Sequence, residues 1–351
     1  MLDGGAHGGP DMPKTILVTG GTGYIAGEII DQLLEAGHVV HTTVRDRRKS
    51  EDGLRDRFDV GAAKFKIFQA DLMDDAGWAE ANADCDAVAH VASPISTRTP
   101  RHEDEMIVPA REGTIRALRF AKQAGVRRFV QTSSVAAIAY GRDEKSYRVD
   151  ESAWTDITHP DVTPYAKSKT IAERAARDWM FANGGTMEFV SVNPALVLGP
   201  IETPDFSPSV VAMKQVLDGS MPMAPDLGFG VVDLRDCADL HVRCLMEPGL
   251  ANERFIASGR FMKLIEIADV LRARLPAEHT KKVPKRVMPN WMVKAIALVN
   301  PGLRSIMNEL GKTRDLDTSH ARDELGWETR PVEETIVDCA QSLISHGVVK
   351  L

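Results

Sequence analysis

The chain has 351 residues, 43% hydrophobic and 26% charged, with 43 Lys and Arg against 50 Asp and Glu for a formal charge of −7. That length predicts two domains, or one large α/β unit with an appendage, and the apolar fraction suffices for a sizeable core. The acidic balance leaves no global basic field for nucleic acid or anionic lipid, although a local basic run could still hold a phosphate group. Four scattered cysteines (Cys85, Cys237, Cys244 and Cys339) form no CxxC pair and have no histidine at ligand spacing. Neither a disulfide framework nor a metal site is therefore expected, and a reducing cytoplasm is the default compartment. No stretch approaches the roughly 18–20 apolar residues of a bilayer span. The nearest one, around 291–299, is broken by Lys294, Asn300 and Pro301.

Residues 1–13 are rich in glycine and lack the basic and apolar regions of a signal peptide, so they read as a disordered leader. From Lys14 onward, apolar runs at 15–19, 38–44, 65–69, 87–91, 128–132 and 188–192 alternate with segments of helical period at 24–36, 75–81, 103–124 and 164–181. Gly37 and Gly125 stand where a left-handed helix cap is wanted. Six strands alternating with helices predict a Rossmann-type α/β fold, a doubly wound parallel sheet with helices on both faces. Its ligands bind beyond the carboxyl ends of the strands. After Pro194 prolines cluster and strands shorten, with helical patterns at 264–274 and 291–298. The expected organisation is a nucleotide-binding domain over 14–194 with a returning segment near 229–258. Residues 195–351 then form a smaller, mainly C-terminal α/β substrate-binding lid, with the ligand in the cleft between them.

The sharpest early signal is Thr19-Gly-Gly-Thr-Gly-Tyr-Ile-Ala26, which follows a strand and opens a helix. Gly20, Gly23 and Ala26 give a tight turn, a close backbone approach to pyrophosphate and close helix packing, with Thr22, Tyr24 and Ile25 around the phosphates. The second strand ends in Val44 or Arg45 at the ribose position, followed by Asp46 and then Arg47, Arg48 and Lys49. Guanidinium forks suit a 2′-phosphate, so Arg45 and Lys49 favour NADP(H), while Asp46 is the competing carboxylate for an NAD ribose. Asp71 and Leu72 follow the third strand, where adenine is expected. Val91, Ala92 and Ser93 follow the fourth, where small residues let the backbone run beside the cofactor.

Tyr165 and Lys169 lie four residues apart on one predicted helix face, and Ser134 lies at the end of the fifth strand. Carbonyl reduction needs a proton for the oxygen. Tyr165 could give it if Lys169 and the oxidised nicotinamide lowered its pKa, while Ser134 orients the substrate oxygen and Lys169 bonds the nicotinamide ribose.

These motifs, in this order, resemble the extended short-chain dehydrogenase/reductases over residues 14 to 345. Within that family, Thr43-Val-Arg-Asp46, Ala89-His-Val-Ala-Ser-Pro94, Thr132-Ser-Ser134 and Asn193-Pro-Ala-Leu-Val-Leu-Gly-Pro200 are similar to the dihydroflavonol reductase-like branch. That branch includes cinnamoyl-CoA reductases and microbial aldehyde and ketone reductases. The resemblance implies reversible carbonyl reduction, Arg45 at the 2′-phosphate, and Asn193 and Pro194 among the cofactor-facing residues. Ala139 stands where dihydroflavonol reductases carry a flavonoid-binding Asn, and His159-Pro-Asp-Val-Thr-Pro-Tyr165 replaces the Asn-Trp-Tyr-Cys-Tyr signature of cinnamoyl-CoA reductases. Neither plant activity is therefore expected. Ala110 before Gly113-Thr114 departs from the Asn of sugar epimerases.

Segments 201–208 and 221–229 offer apolar side chains for a lid, so the expected substrate is a medium-sized, largely apolar aldehyde or ketone. Two alternatives stay open: an NAD-dependent sugar epimerase, dehydratase or hydroxysteroid dehydrogenase using Asp46, and a non-catalytic NADP-binding redox sensor. A monomer or a homodimer fits equally well.

Overall fold

A computed structural model of the chain describes residues 12–94, 100–203, 207–298 and 307–349. The expected leader therefore falls outside the described residues as far as residue 11. The first half runs β1 (Thr15–Thr19), α1 (Tyr24–Glu35), β2 (Val39–Val44), α2 (Arg47–Arg57), β3 (Phe65–Gln69), α3 (Trp78–Asn82), β4 (Ala87–His90), α4 (Asp104–Gln123) and β5 (Arg128–Thr132). It continues through β6 (Ser146–Val149), α5 (Pro164–Asn183), β7 (Glu188–Pro194) and β8 (Leu196–Leu198). The remainder runs α6 (Pro208–Asp218), β9 (Ala224–Pro225), β10 (Gly228–Asp233), α7 (Leu234–Met246), β11 (Arg254–Ala257), β12 (Phe261–Lys263) and α8 (Leu264–Arg274). It ends with β13 (Val287–Met288), α9 (Asn290–Ala297), β14 (Thr313–Leu316), α10 (Ser319–Leu325) and α11 (Val332–Ser345).

The central sheet is parallel, in the order β11-β7-β5-β4-β1-β2-β3. Its order reverses between β1 and β4, which opens the crevice where such sheets bind ligands. Along β1 the side chains alternate between faces: Ile16 and Val18 pack with Ile29, Ile30 and Leu33 of α1, while Leu17 packs with Ala117, Leu118 and Ala121 of α4.

Two elements differ from the sequence expectation. The sheet has a seventh strand, β11, which pairs with β7. Its four residues, Arg-Phe-Ile-Ala, are too short a run to separate from a buried loop by periodicity. Helix α2 forms in a stretch to which the sequence pattern assigns no element, because Asp46 caps it through the Lys49 amide while only Leu54 is buried along its length. So polar a helix gives little periodic signal.

A second core lies under α6, α8 and α11, with Val210, Met213, Leu271, Ile336 and Leu343 enclosed. Ile201, Ala224 and Leu227 from the expected lid segments are part of this core, so these residues pack inward. Residues 204–206 of the first segment lie outside the described residues. Asp233 caps α7 through the Arg235 amide at 2.8 Å and accepts from Thr335, and Asp236 accepts from the Arg330 amide at 2.8 Å. These bonds fasten α7 to the C-terminal helix layer.

Candidate active site

The glycine loop is built by β2. The amides of Gly20 and Gly21 both donate to the Thr43 carbonyl at 3.1 Å, and Gly23 donates back to Gly20 at 2.8 Å. Gly20 holds φ +75°, and a Cβ on Gly21 would lie 2.2 Å from Thr42 Oγ1, so the loop needs a glycine that the sequence pattern leaves free. At Gly23 the chain enters α1 with no side-chain cap and no acidic residue in the first turn. The leading amides of α1 are thus left to an anion at the positive end of the helix dipole. Thr22 is exposed and Ile25 half-buried, while the Tyr24 hydroxyl reaches away to the Gly199 carbonyl at 2.8 Å. Tyr24 can therefore serve a phosphate only through its amide.

Thr19 joins this loop to β4. Its Oγ1 accepts the amides of Val91 and Ala92 at 3.0 Å each, which leaves its proton for His90 Nδ1 at 3.1 Å. Burial, with the Lys169 charge adding to it, pushes His90 down to about 3, so its ring is neutral. Val91, Ala92 and Ser93 form a half-buried rim beside the loop.

At the end of β2 the cations separate into two kinds. Arg47 is held by Glu51 at 2.8 Å and Lys49 by Asp46 at 3.1 Å. Arg45 is exposed and makes no hydrogen bond or ion pair with any described residue. Asp46 caps α2 through the Lys49 amide at 3.3 Å, and its other oxygen pairs with the Lys49 ammonium. Asp71 accepts from the Met73 amide at 2.8 Å, and Leu72 is half-buried beside Gly113.

Ser134 and Tyr165 meet beyond the sheet's carboxyl edge. Ser134 caps the short turn at Val135–Ala137 through the Ala136 amide at 3.1 Å. Tyr165 sits at the start of α5, which Thr163 caps with Pro164 in the first turn. The tyrosine is 36% exposed, yet burial of its hydroxyl end raises the phenol, opposed by a hydrogen bond from Ser134. The expected lowering by Lys169 is not found in the polypeptide's own field. Burial outweighs the Ser134 bond, so the phenol stays protonated. Lys169 is buried with one long bond, to the Thr132 carbonyl at 3.4 Å, and burial brings its ammonium down to about 8 against the opposing charge of Glu173. Its remaining donors suit ribose hydroxyls.

Asn193 is not open to the cleft. It is fully enclosed, donating to the Ser134 carbonyl at 3.1 Å and to Glu173 at 2.9 Å, with its Oδ1 unpartnered. Pro194 is buried beside it, its carbonyl 3.5 Å from Ser134 Oγ. Sequence reasoning missed Glu173 and Arg254, because a Glu on a helix and an Arg in a short strand look solvated until the fold encloses them. Ala139 is fully buried with Ile138, Val149 and Ile256. An Asn there would need a polar partner inside an apolar cluster.

Residues 16–248 match the family model described as the NAD dependent epimerase/dehydratase family. Cinnamoyl-CoA reductase CAD2 of Medicago truncatula is 33% identical over 265 residues, which span 74% of this chain and 78% of that protein. Tetraketide alpha-pyrone reductase 1 of Arabidopsis thaliana is 31% identical over 339 residues, covering 95% and 96% of the two chains. Among solved structures, yeast methylglyoxal/isovaleraldehyde reductase Gre2, complexed with NADPH, superposes with a TM-score of 0.78 at 25% identity, covering 95% of this chain and all of that one. The chain belongs to the NAD dependent epimerase/dehydratase family, the extended short-chain dehydrogenase/reductases. It is an oxidoreductase of that class. Among the described residues no helix is long and apolar enough to cross a membrane.

Proposed function

We propose that the chain is an NADPH-dependent carbonyl reductase acting on a medium-sized, largely apolar aldehyde or ketone, with Tyr165 as proton donor. The observation that carries this reading is the meeting of a protonated Tyr165 with Ser134, one helical turn before Lys169, beyond the carboxyl edge of the sheet. The cofactor is NADP(H): the α1 amides, Gly20 and Gly23 take the pyrophosphate, and the unpaired Arg45 takes the 2′-phosphate. Lys169 takes the nicotinamide ribose. Asp71 and Leu72 border the adenine, and Val91 to Ser93 flank the cofactor.

Bound NADPH supplies the hydride that reduces the carbonyl carbon. Ser134 donates a hydrogen bond to the substrate oxygen and holds it beside the Tyr165 hydroxyl. Tyr165 gives its proton to that oxygen as negative charge grows on it. After product release the phenolate regains a proton that derives from solvent. A phenol held up by burial is protonated at neutral pH, which populates the form that reduction uses and leaves little of the phenolate that oxidation would need. The yeast neighbour is a methylglyoxal/isovaleraldehyde reductase; isovaleraldehyde is an apolar aldehyde, while methylglyoxal is smaller and more polar than the proposed class.

The test is loss of reduced-nicotinamide absorbance with NADPH and NADH in parallel, across aromatic and aliphatic aldehydes and ketones. Tyr165-dependent oxidation of NADPH is the expected result. Tight binding of NADPH without turnover on any carbonyl would support the sensor reading instead.

A further inference from the structure

Glu173 lies on α5, one turn beyond Lys169, and is completely enclosed. Five residues donate to its carboxylate. Oε1 accepts from Arg254 at 2.7 Å, from Ser191 at 2.8 Å and from Arg177 at 3.5 Å. Oε2 accepts from Ser133 at 2.6 Å, from Asn193 at 2.9 Å and from a second Arg254 nitrogen at 3.4 Å. Ser133 follows β5, Ser191 and Asn193 lie on β7, Arg254 opens β11, and Arg177 is one turn further along α5.

Two of these bonds act on Ser134. Ser133 is its chain neighbour, and Asn193 uses its other amide proton to hold the Ser134 carbonyl at 3.1 Å. Fastening α5 to the sheet alone needs no buried ion, since well-packed apolar residues do that as well or better. The placement of Ser134 does need directional bonds. We propose that Glu173, clamped by Arg254 and Arg177, is the positioning residue of this site: through Ser133 and Asn193 it fixes Ser134 opposite Tyr165. The inference rests on the reductase reading for the meaning of that position.

Glu173 also acts on Lys169 by charge. It is the carboxylate that opposes the loss of the Lys169 proton, while the other groups facing the ammonium, His90 on β4 and Tyr165 on α5, are neutral. Glu173 itself faces Arg177 and Arg254, which keep it ionised despite burial. Glu253 touches Arg177 through its carbonyl and its charge, and Glu151 meets Arg254 through its carbonyl.

Glu173→Gln keeps the shape and removes the charge. Turnover with NADPH is expected to fall at least ~10-fold, and the basic limb of kcat to move about one unit lower in pH. NADPH affinity stays within ~3-fold, the tolerance for a site not contacted directly. Ser133→Ala removes one strap and leaves the charge, so kcat falls with the limb in place. A limb unmoved in the first variant, or kcat unchanged in both, overturns the proposal. If Glu173→Gln does not fold, Arg254→Lys replaces it: lower kcat at an unmoved limb supports the clamp, and unchanged kcat overturns it. Should the parent chain reduce no carbonyl, the reductase reading fails on its own. Titration of Lys169 by amine-reactive labelling and mass spectrometry still decides the charge effect of Glu173. A lower midpoint in Glu173→Gln supports it, and identical midpoints overturn it.

Discussion

The C-terminal helix layer and the nucleotide crevice hold their polar groups differently. In the C-terminal half charges close on one another: Asp233 with Arg235, Arg235 with Asp338, Asp236 with Arg330, and Lys263 with Asp226. Around the nucleotide crevice several groups stay open, namely the first-turn amides of α1, the Arg45 guanidinium and most of the Lys169 ammonium. Paired charges hold a scaffold, whereas open ones are held ready for something outside the chain. A buried cation with one long bond is costly unless a ligand completes its shell. The proposed nucleotide site is the region where such open groups gather.

The most damaging way to break this comparison is to close the glycine loop. Gly23→Val puts a Cβ 3.1 Å from the Gly20 carbonyl and fills the space left for phosphate. Saturable NADPH binding should disappear in a fluorescence titration, with the fold kept by circular dichroism. Native affinity in that variant would move the phosphate site elsewhere. Tyr165→Phe comes next. It should cost about 10²–10⁴ in kcat, the usual worth of a positioned acid, and leave NADPH affinity nearly unchanged.

Arg45→Ala should weaken NADPH by about 10–100-fold, the value of a charge-assisted bond, and leave NADH within a factor of about two. Equal losses for both cofactors would make Arg45 ordinary surface charge. Asp46→Ala sharpens the same point. It should lower the melting temperature slightly, by loss of the α2 cap, without changing cofactor preference. In the closed half, Asp236→Asn should cost roughly 1–3 kcal/mol of stability, discounted for the partial exposure of Arg330, and leave kcat and both Kd values alone.

The open half was also the more legible in sequence. Gly20, Gly23, Ser134, Tyr165 and Lys169 stand at fixed distances from strand ends, so strand–helix alternation alone brings them to one edge. Arg45 and Asp46 could not be ranked in that way. Only the helix that follows shows Asp46 spent on a cap, and neighbouring pairs spend Arg47 and Lys49. Glu173 was invisible for a different reason. Its donors come from three strands and its own helix, up to 81 residues away in Arg254, and no local pattern reports that convergence. The lid segments misled because Ile201 and Leu227 have the composition of a pocket wall and also that of a core, and the fold uses them as core.

The smallest effect concerns acid, and it falls on both halves. His90 on β4 and His241 on α7 are buried and neutral, with burial pushing them down to about 3 and about 4. As pH falls below about 6.5 the unfolded chain takes up these protons while the folded chain does not. Their contribution is complete above that value and drains as pH drops toward 4. Between pH 6.5 and 5, before most carboxylates titrate, the melting temperature should fall steadily. His241 bonds the Thr132 hydroxyl at 2.8 Å and the Cys237 carbonyl at 2.7 Å, and neither bond touches the glycine loop or the rim at Val91 and Ala92. His241→Gln should therefore flatten the acid slope and leave NADPH affinity unchanged. His90→Gln should flatten it too, but it also loosens the Thr19 anchor of Val91 and Ala92, so NADPH affinity should drop with it. Equal effects of the two variants on NADPH would erase the distinction between a half that holds the fold and a half that holds the ligand.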